Sequence, residues 1–145
     1  MKRILMTASA LMMFATIGLS GAEAGNKVII EQYGYQNGAA ASQDGKRNYV
    51  YKYQNGKKNW ARTQQRGKVN SAITGQTGKR NAAETVQVGR NNLSGIYQMG
   101  SDHKALTEQY GSNNTSATIQ VGKGQSAETY QSGNGNISVI IQGGR

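Results

Sequence analysis

The side chains that recur at a fixed spacing in this chain are amides, whose chemistry is hydrogen bonding rather than catalysis. A glutamine returns every eleven residues, and an asparagine returns with the same period. An amide carries donors and acceptors, so stacked copies of one amide side chain can bond to each other. The glutamines are Gln32, Gln43, Gln54, Gln65, Gln76, Gln87, Gln98, Gln109, Gln120, Gln131 and Gln142. The asparagines are Asn26, Asn37, Asn48, Asn59, Asn70, Asn81, Asn92, Asn114 and Asn136, with His103 and Gln125 in the two remaining places.

A glycine stands two residues after every one of these glutamines. Two residues after most asparagines comes Ala or Ser, followed two residues later by Thr or Ile, so the unit is Q-x-G-x-x-N-x-[A/S]-x-[T/I]-x. A strict period of this kind indicates one small structural unit stacked on copies of itself. The glycines are Gly34, Gly45, Gly56, Gly67, Gly78, Gly89, Gly100, Gly111, Gly122, Gly133 and Gly144.

Catalytic, metal and cofactor chemistry find no support in the sequence. His103 is the single histidine and there is no cysteine, and one histidine without clustered carboxylates does not make a metal site. No His–acid pair is placed to activate a serine or threonine. The glycines open β-turns rather than helices, so they form no phosphate-binding loop. The sequence therefore predicts no enzyme and no cofactor.

The elements that must position the amides are β-strands. Regular positions lie two residues apart, and side chains two apart share one face of a strand. Asn81, Ala83, Thr85 and Gln87 thus share a face, which is predicted to point inward. The glycine predicts a four-residue turn, x-Gly-x-x, with a backbone conformation that other residues reach only with strain. The fold class is predicted to be all-β, a two-sheet parallel β-solenoid of eleven strand-turn units and about 5.5 coils, roughly 26 Å long.

Residues 1–24 are predicted to be an export signal. Lys2 and Arg3 form its basic region, residues 4–19 are apolar, and Ala22-Glu23-Ala24 is a small-x-small cleavage site. Cleavage after Ala24 would leave residues 25–145, which make eleven units of eleven and form the predicted solenoid. No other stretch is apolar enough to span a membrane.

The remaining chain is basic and poor in large aliphatic residues. Without Lys2, Arg3 and Glu23, the 17 basic and 7 acidic residues become 15 and 6, a net charge of +9. This composition is typical of a chain that is disordered alone and ordered when stacked. The basic turns are interpreted as a solvated edge; the less favoured interpretation is binding to anionic polysaccharide or extracellular DNA. These turns contain Lys46 and Arg47, Lys57 and Lys58, and Lys79 and Arg80.

The outward positions differ between the two predicted sheets. Odd-numbered strands form sheet A, whose outward residues are mostly apolar, and even-numbered strands form the more charged sheet B. One hypothesis is that sheet A makes lateral contacts between fibrils or with a hydrophobic surface. The alternative is that strands simply favour Tyr and Ile. The residues proposed for this contact are Tyr49, Tyr51, Tyr53, Ile137, Val139 and Ile141.

Lys52 breaks the pattern, because it occupies an inward Thr/Ile position. A buried unpaired charge is costly. A local irregularity of the strand is the favoured explanation, and the alternative is a gatekeeper that slows assembly.

Both ends of the repeat are expected to present open strand edges, because the pattern shows no cap. Open edges template the next chain, and head-to-tail addition that does not close gives a filament. With an odd number of strands, each new subunit must either rotate by about half a turn or leave one strand unpaired.

The unit Q-x-G-x-x-N-x-A-x-x-x-Q resembles the curlin repeat of bacterial curli fibres over almost the whole chain after residue 24. The resemblance implies a secreted functional-amyloid subunit, exported unfolded through a dedicated outer-membrane pore, that supports adhesion and biofilm. It implies self-association and association with another curlin subunit, with the inward Gln and Asn as assembly residues. The best-known subunits carry a polar N-terminal segment or a less regular leader, whereas here the repeats begin directly after the predicted cleavage site.

The sequence is compatible with three functional roles. Regular units favour a major, fibre-building subunit, whereas basicity and imperfect units favour a minor, nucleating subunit at the cell surface. The third role is a soluble β-solenoid that binds anionic polysaccharide or ice, which would require caps and a flat outward ladder of Thr or aromatic residues.

Overall fold

The computed structural model describes residues 25–144, so the predicted export signal, including Ala22 and Ala24, lies outside the described residues. The described chain forms eleven strands, one for each repeat unit. The strands are β1 (Lys27–Tyr35), β2 (Gly38–Lys46), β3 (Tyr49–Lys57), β4 (Trp60–Lys68), β5 (Ser71–Lys79), β6 (Ala82–Arg90), β7 (Leu93–Ser101), β8 (Lys104–Ser112), β9 (Thr115–Lys123), β10 (Ser126–Asn134) and β11 (Ile137–Gly144).

The strands form two parallel sheets that contain alternate strands. Sheet A has six strands in the order β1-β3-β5-β7-β9-β11, and sheet B has five in the order β2-β4-β6-β8-β10. Each strand pairs in parallel with the strand 22 residues later, so that Gln54 lies beside Gln76. The predicted all-β, two-sheet parallel β-solenoid is confirmed.

The turns are shorter than predicted. Each glycine of the eleven-residue repeat lies inside its strand and pairs with the glycine one coil along, as Gly56 does with Gly78. Only two residues separate consecutive strands, for example Lys58 and Asn59 between β3 and β4. The second bend is made by the residue before the asparagine, which takes a left-handed conformation with φ of 58° at Lys58 and 59° at Val69. Two residues with positive φ therefore make each corner, and the glycine is only the first of them.

The glycine is required by packing as well as by conformation. At Gly78 φ is +121°, and a Cβ there would lie well inside van der Waals contact with the carbonyl oxygen of Gly100. The same contact recurs between Gly56 and Gly78. Successive coils thus approach each other at the corner so closely that no side chain fits between them.

The core between the sheets is thin and mostly polar. Val50, Ala61 and Ala72 are fully buried, but most other buried side chains are Gln, Asn, Thr and Ser. Ile96 is the largest aliphatic side chain among the fully buried residues. Because little apolar area is buried, hydrogen bonds of the buried amides must hold the sheets together.

Candidate functional site

The glutamines form a continuous hydrogen-bonded ladder through each sheet. From Gln32 to Gln120, the Nε2 of each glutamine of the series donates to the Oε1 of the glutamine 22 residues later, at 2.6–2.9 Å. Donation always runs in the same direction, from β1 towards β11 in sheet A and from β2 towards β10 in sheet B. The ladders therefore have a donor end and an acceptor end.

Each glutamine from Gln43 to Gln142 also joins the two sheets. The same Nε2 donates to a backbone carbonyl at the start of the preceding strand, in the opposite sheet. Gln54 donates to Gly38 O at 2.9 Å, and Gln76 donates to Trp60 O at 2.9 Å. The sequence pattern predicted the bonds along the stack, but not these bonds across the core, since they depend on how the facing strand is placed.

The asparagines secure the corners rather than repeating the glutamine arrangement. Asn48 Oδ1 accepts the backbone N–H of Asn70 at 3.1 Å, and Asn48 Nδ2 donates to Gly67 O at 3.1 Å. This pattern continues along the stack, with direct Asn–Asn side-chain bonds at some levels, such as Asn92 to Asn70 at 3.2 Å. The asparagine thereby satisfies backbone groups that the tight corner leaves without partners.

His103 occupies an asparagine position and makes hydrogen bonds like those of the asparagines. It is fully buried, and its Nδ1 accepts the backbone N–H of Gln125 at 3.2 Å. Its Nε2 lies 3.2 Å from Met99 O, so the tautomer that satisfies both contacts carries its proton on Nε2. Within residues 25–144, no three His, Cys, Asp or Glu side chains cluster to hold a metal ion.

Lys52 lies in a regular strand and not in an irregular one. β3 pairs in register with both β1 and β5 through this position, so the favoured explanation from sequence was wrong. The fully buried Lys52 Nζ donates to Thr63 Oγ1 at 2.6 Å across the core. Burial lowers the pKa of Lys52 to about 7, and the nearby charge of Glu84 opposes that shift. A regular strand can hold this lysine because its amine can lose its proton near neutral pH, and a neutral amine is less costly to bury than a charged one.

The outer face of sheet A is apolar towards its last strand. Ile137, Val139 and Ile141 in β11 are 77%, 62% and 72% exposed. Further along the sheet, Gly75 and Gly95 leave a shallow groove of about 410 Å³, with Tyr53 and Tyr97 among the side chains that line it. Tyr49, Tyr51 and Tyr53 are only half-buried on the same face.

The outer surfaces also carry charges in register. In sheet B, Arg62 pairs with Glu84 one coil along, at 3.3 Å. At one row of corners Lys57 lies beside Lys79, while Arg80 makes two bonds to Asp102 at 2.6 and 2.8 Å. Lys68 lies beside Arg90 at the opposite row. Each row of corners thus holds one pair of like charges on neighbouring coils, about 4.8 Å apart.

A parallel two-sheet solenoid whose coils are joined by unbroken amide ladders defines a cross-β repeat protein. Residues 78–111 match the family model described as Curlin associated repeat. The eleven-residue unit of that matched segment recurs from Gln32 to Gln142. No curated protein matches the chain.

The matched repeat suggests a curli-type structural subunit. Among residues 25–144 there is no helix long and apolar enough to cross a membrane.

Proposed function

We propose that this chain is the major, fibre-building subunit of an extracellular curli-type fibre that serves adhesion and biofilm formation. Its subunits add head to tail, and the inward Gln and Asn side chains are the residues that join one subunit to the next. Residues 1–24 act as the export signal, and the chain passes the outer membrane through a curli-type pore before it folds.

The observation that carries this proposal is the direction of the glutamine ladders. Gln131 in β10 and Gln142 in β11 end the two series of forward donors. Gln32 in β1 and Gln43 in β2 begin them. A second copy that presents β1 and β2 to β10 and β11 therefore brings acceptor ends to donor ends. Open parallel edges with matching chemistry template further addition.

Regularity supports the major role over the nucleating role. All nine strand pairs keep the same 22-residue register, including the pairs at each end of the stack, β1 with β3 and β9 with β11. A fibre-building subunit needs edges that any copy can extend, and uniform strands provide them. A second curlin subunit is then the partner that starts the fibre.

The apolar outer face of sheet A supports lateral contact between fibrils. Ile137, Val139 and Ile141 are exposed side by side on one strand, and a contiguous apolar patch on a protein surface often marks a contact. Changing these three residues to Thr keeps β-propensity and should reduce bundling in electron micrographs without slowing elongation. A loss of elongation would contradict the proposed lateral contact.

The cationic rows of corners support binding of a polyanion such as acidic polysaccharide or extracellular DNA. Lys57 and Lys79 stack in register on one row, with Lys58 and Arg80 beside them. Binding of this kind weakens steeply with salt, because it releases counterions.

Assembly of residues 25–145 from denaturant, followed by thioflavin fluorescence and fibre diffraction, tests the proposed function. A lag followed by growth, with a reflection near 4.7–4.8 Å, is the expected result. Growth without a lag at any concentration would favour the nucleating subunit. A stable soluble monomer with β circular dichroism would favour the soluble binding module and overturn the proposal.

A further inference from the structure

The two sheets end at different levels, and this fixes how a second copy can dock. Consecutive strands alternate between the sheets, so each strand advances by half a coil, about 2.4 Å. β11 is the last described strand of sheet A, and the next vacant level is in sheet B, directly beyond β10. An incoming chain reaches that level with β1, which belongs to its own sheet A.

We infer that successive subunits are related by a half-turn about the fibre axis, so that sheet A of one copy continues sheet B of the copy before it. This inference rests on the proposed fibre-forming function. β1 of the incoming copy stacks on β10, and its β2 stacks on β11. Each sheet of the fibre then consists of alternating blocks of six and five strands.

The hydrogen-bond pattern continues through such a junction at every level. The 22-residue register places Gln32 of the incoming copy beside Gln131, and Gln43 of that copy beside Gln142. The ladder bonds of 2.6–2.9 Å seen inside the subunit then have their partners at the junction. The cross-sheet pattern would also give Gln32 an acceptor in Ile137 O, as Gln54 has in Gly38 O.

The asparagine row also distinguishes this junction from simple translation. Inside the subunit, the backbone N–H at each asparagine position bonds to the side chain one coil before it, as Asn136 N–H does to Asn114 Oδ1 at 3.1 Å. After a half-turn, Asn26 of the incoming copy lies one coil beyond Gln125, which occupies an asparagine position. After pure translation, Asn26 lies over Asn136 at the opposite row of corners, and the row that contains Gln125 is interrupted.

Translation also leaves a missing strand. β1 would then stack on β11, and β2 would lie two strand spacings beyond β10, about 9.6 Å away. Gln131 and the backbone edge of β10 would lose their partners inside the fibre, and unpaired backbone groups at such an edge are costly. The half-turn keeps both sheets continuous.

Disulfide cross-linking in preformed fibres tests the junction, because the chain contains no cysteine. The half-turn places Ile29 beside Glu128, and translation places Ile29 beside Val139; all three side chains point outward. Neighbouring strands about 4.8 Å apart fall within the Cα separation that a disulfide spans. The variants are Ile29→Cys with Glu128→Cys, Ile29→Cys with Val139→Cys, and each single substitution as a control.

Fibre formation of every variant is verified by thioflavin fluorescence and diffraction before oxidation. The expected result is a ladder of covalent oligomers on a non-reducing gel from the Ile29/Glu128 pair, and monomer from the Ile29/Val139 pair and the single variants. Oligomers from the Ile29/Val139 pair, or monomer from both pairs in genuine fibres, would overturn the half-turn junction. Failure of the unsubstituted chain to form fibres would overturn the proposed function instead.

Discussion

The buried amine of Lys52 should make fibre stability depend on pH in a way that one substitution removes. In the unfolded chain the ordinary pKa of 10.5 applies, whereas burial lowers the pKa of Lys52 to about 7 in the folded solenoid. Between those two values the unfolded chain holds one more proton than the folded chain. Stability must therefore rise with pH across this window and fall as pH drops towards 7.

The size of the effect follows from the gap between the two pKa values. The difference between 10.5 and about 7 corresponds to about 5 kcal/mol, at about 1.36 kcal/mol for each unit. Below pH 7 the folded state carries this whole cost, and above pH 10.5 the cost is absent. Lys52→Met keeps the length of the side chain and removes the titration, but it loses the bond to Thr63 Oγ1, about 1 kcal/mol. The variant should therefore be about 4 kcal/mol more stable than the parent at pH 6.

The critical concentration for assembly measures this difference directly. At pH 6, Lys52→Met should leave about a thousandfold less soluble chain than the parent at equilibrium, since 1.4 kcal/mol is tenfold. The ratio should shrink by up to tenfold for each pH unit between 7 and 10, and the parent should become the slightly more stable chain near pH 10.5. The comparison cancels the titration of surface groups, which both chains share. Parallel curves for the two chains would refute the assignment. Glu84→Gln should widen the window, because the Glu84 charge raises the pKa of Lys52.

Three further substitutions test the corner and the ladder through the same equilibrium measurement. Val69 is β-branched at φ 59°, so Val69→Asn should stabilise the fibre by about 1 kcal/mol, and an unchanged critical concentration would deny that strain. Gly78→Ala should raise the critical concentration at least a hundredfold, about 3 kcal/mol. Gly95→Ala should change it less than fivefold, because a Cβ there would meet only Ser116 O, at an ordinary contact distance of 4.0 Å; equal effects would contradict the close approach of the coils. Gln76→Leu removes the side-chain donor to Gln98 Oε1 and to Trp60 O, and one of the two acceptors of Gln54 Nε2, which should cost about 3 kcal/mol; a neutral result would mean that the ladder adds little to stability.

The sequence by itself determined the strands, the inward face and the two sheets. The period of two within a period of eleven specifies which side chains of Asn81–Gln87 point inward, and it does so without knowledge of the neighbouring coils. A repeated unit stacked on itself also fixes the 22-residue register, so Gln54 must lie beside Gln76. These features are local or follow from translation of one unit, and both can be read from a single chain.

Only the tertiary structure decided what happens across the core and at the corners. The bond from Gln76 to Trp60 O depends on the distance between facing sheets, which no spacing along the chain encodes. The left-handed conformation at Lys58 and Val69 has no signature in residue type, because the tight corner imposes it on side chains that would otherwise avoid it. The sequence favoured an irregular strand at Lys52, whereas in the structure Thr63 lies opposite its amine, eleven residues along the chain and across the core. The alternation of residues along a strand specifies which way a side chain points, and the opposite sheet determines which groups it contacts.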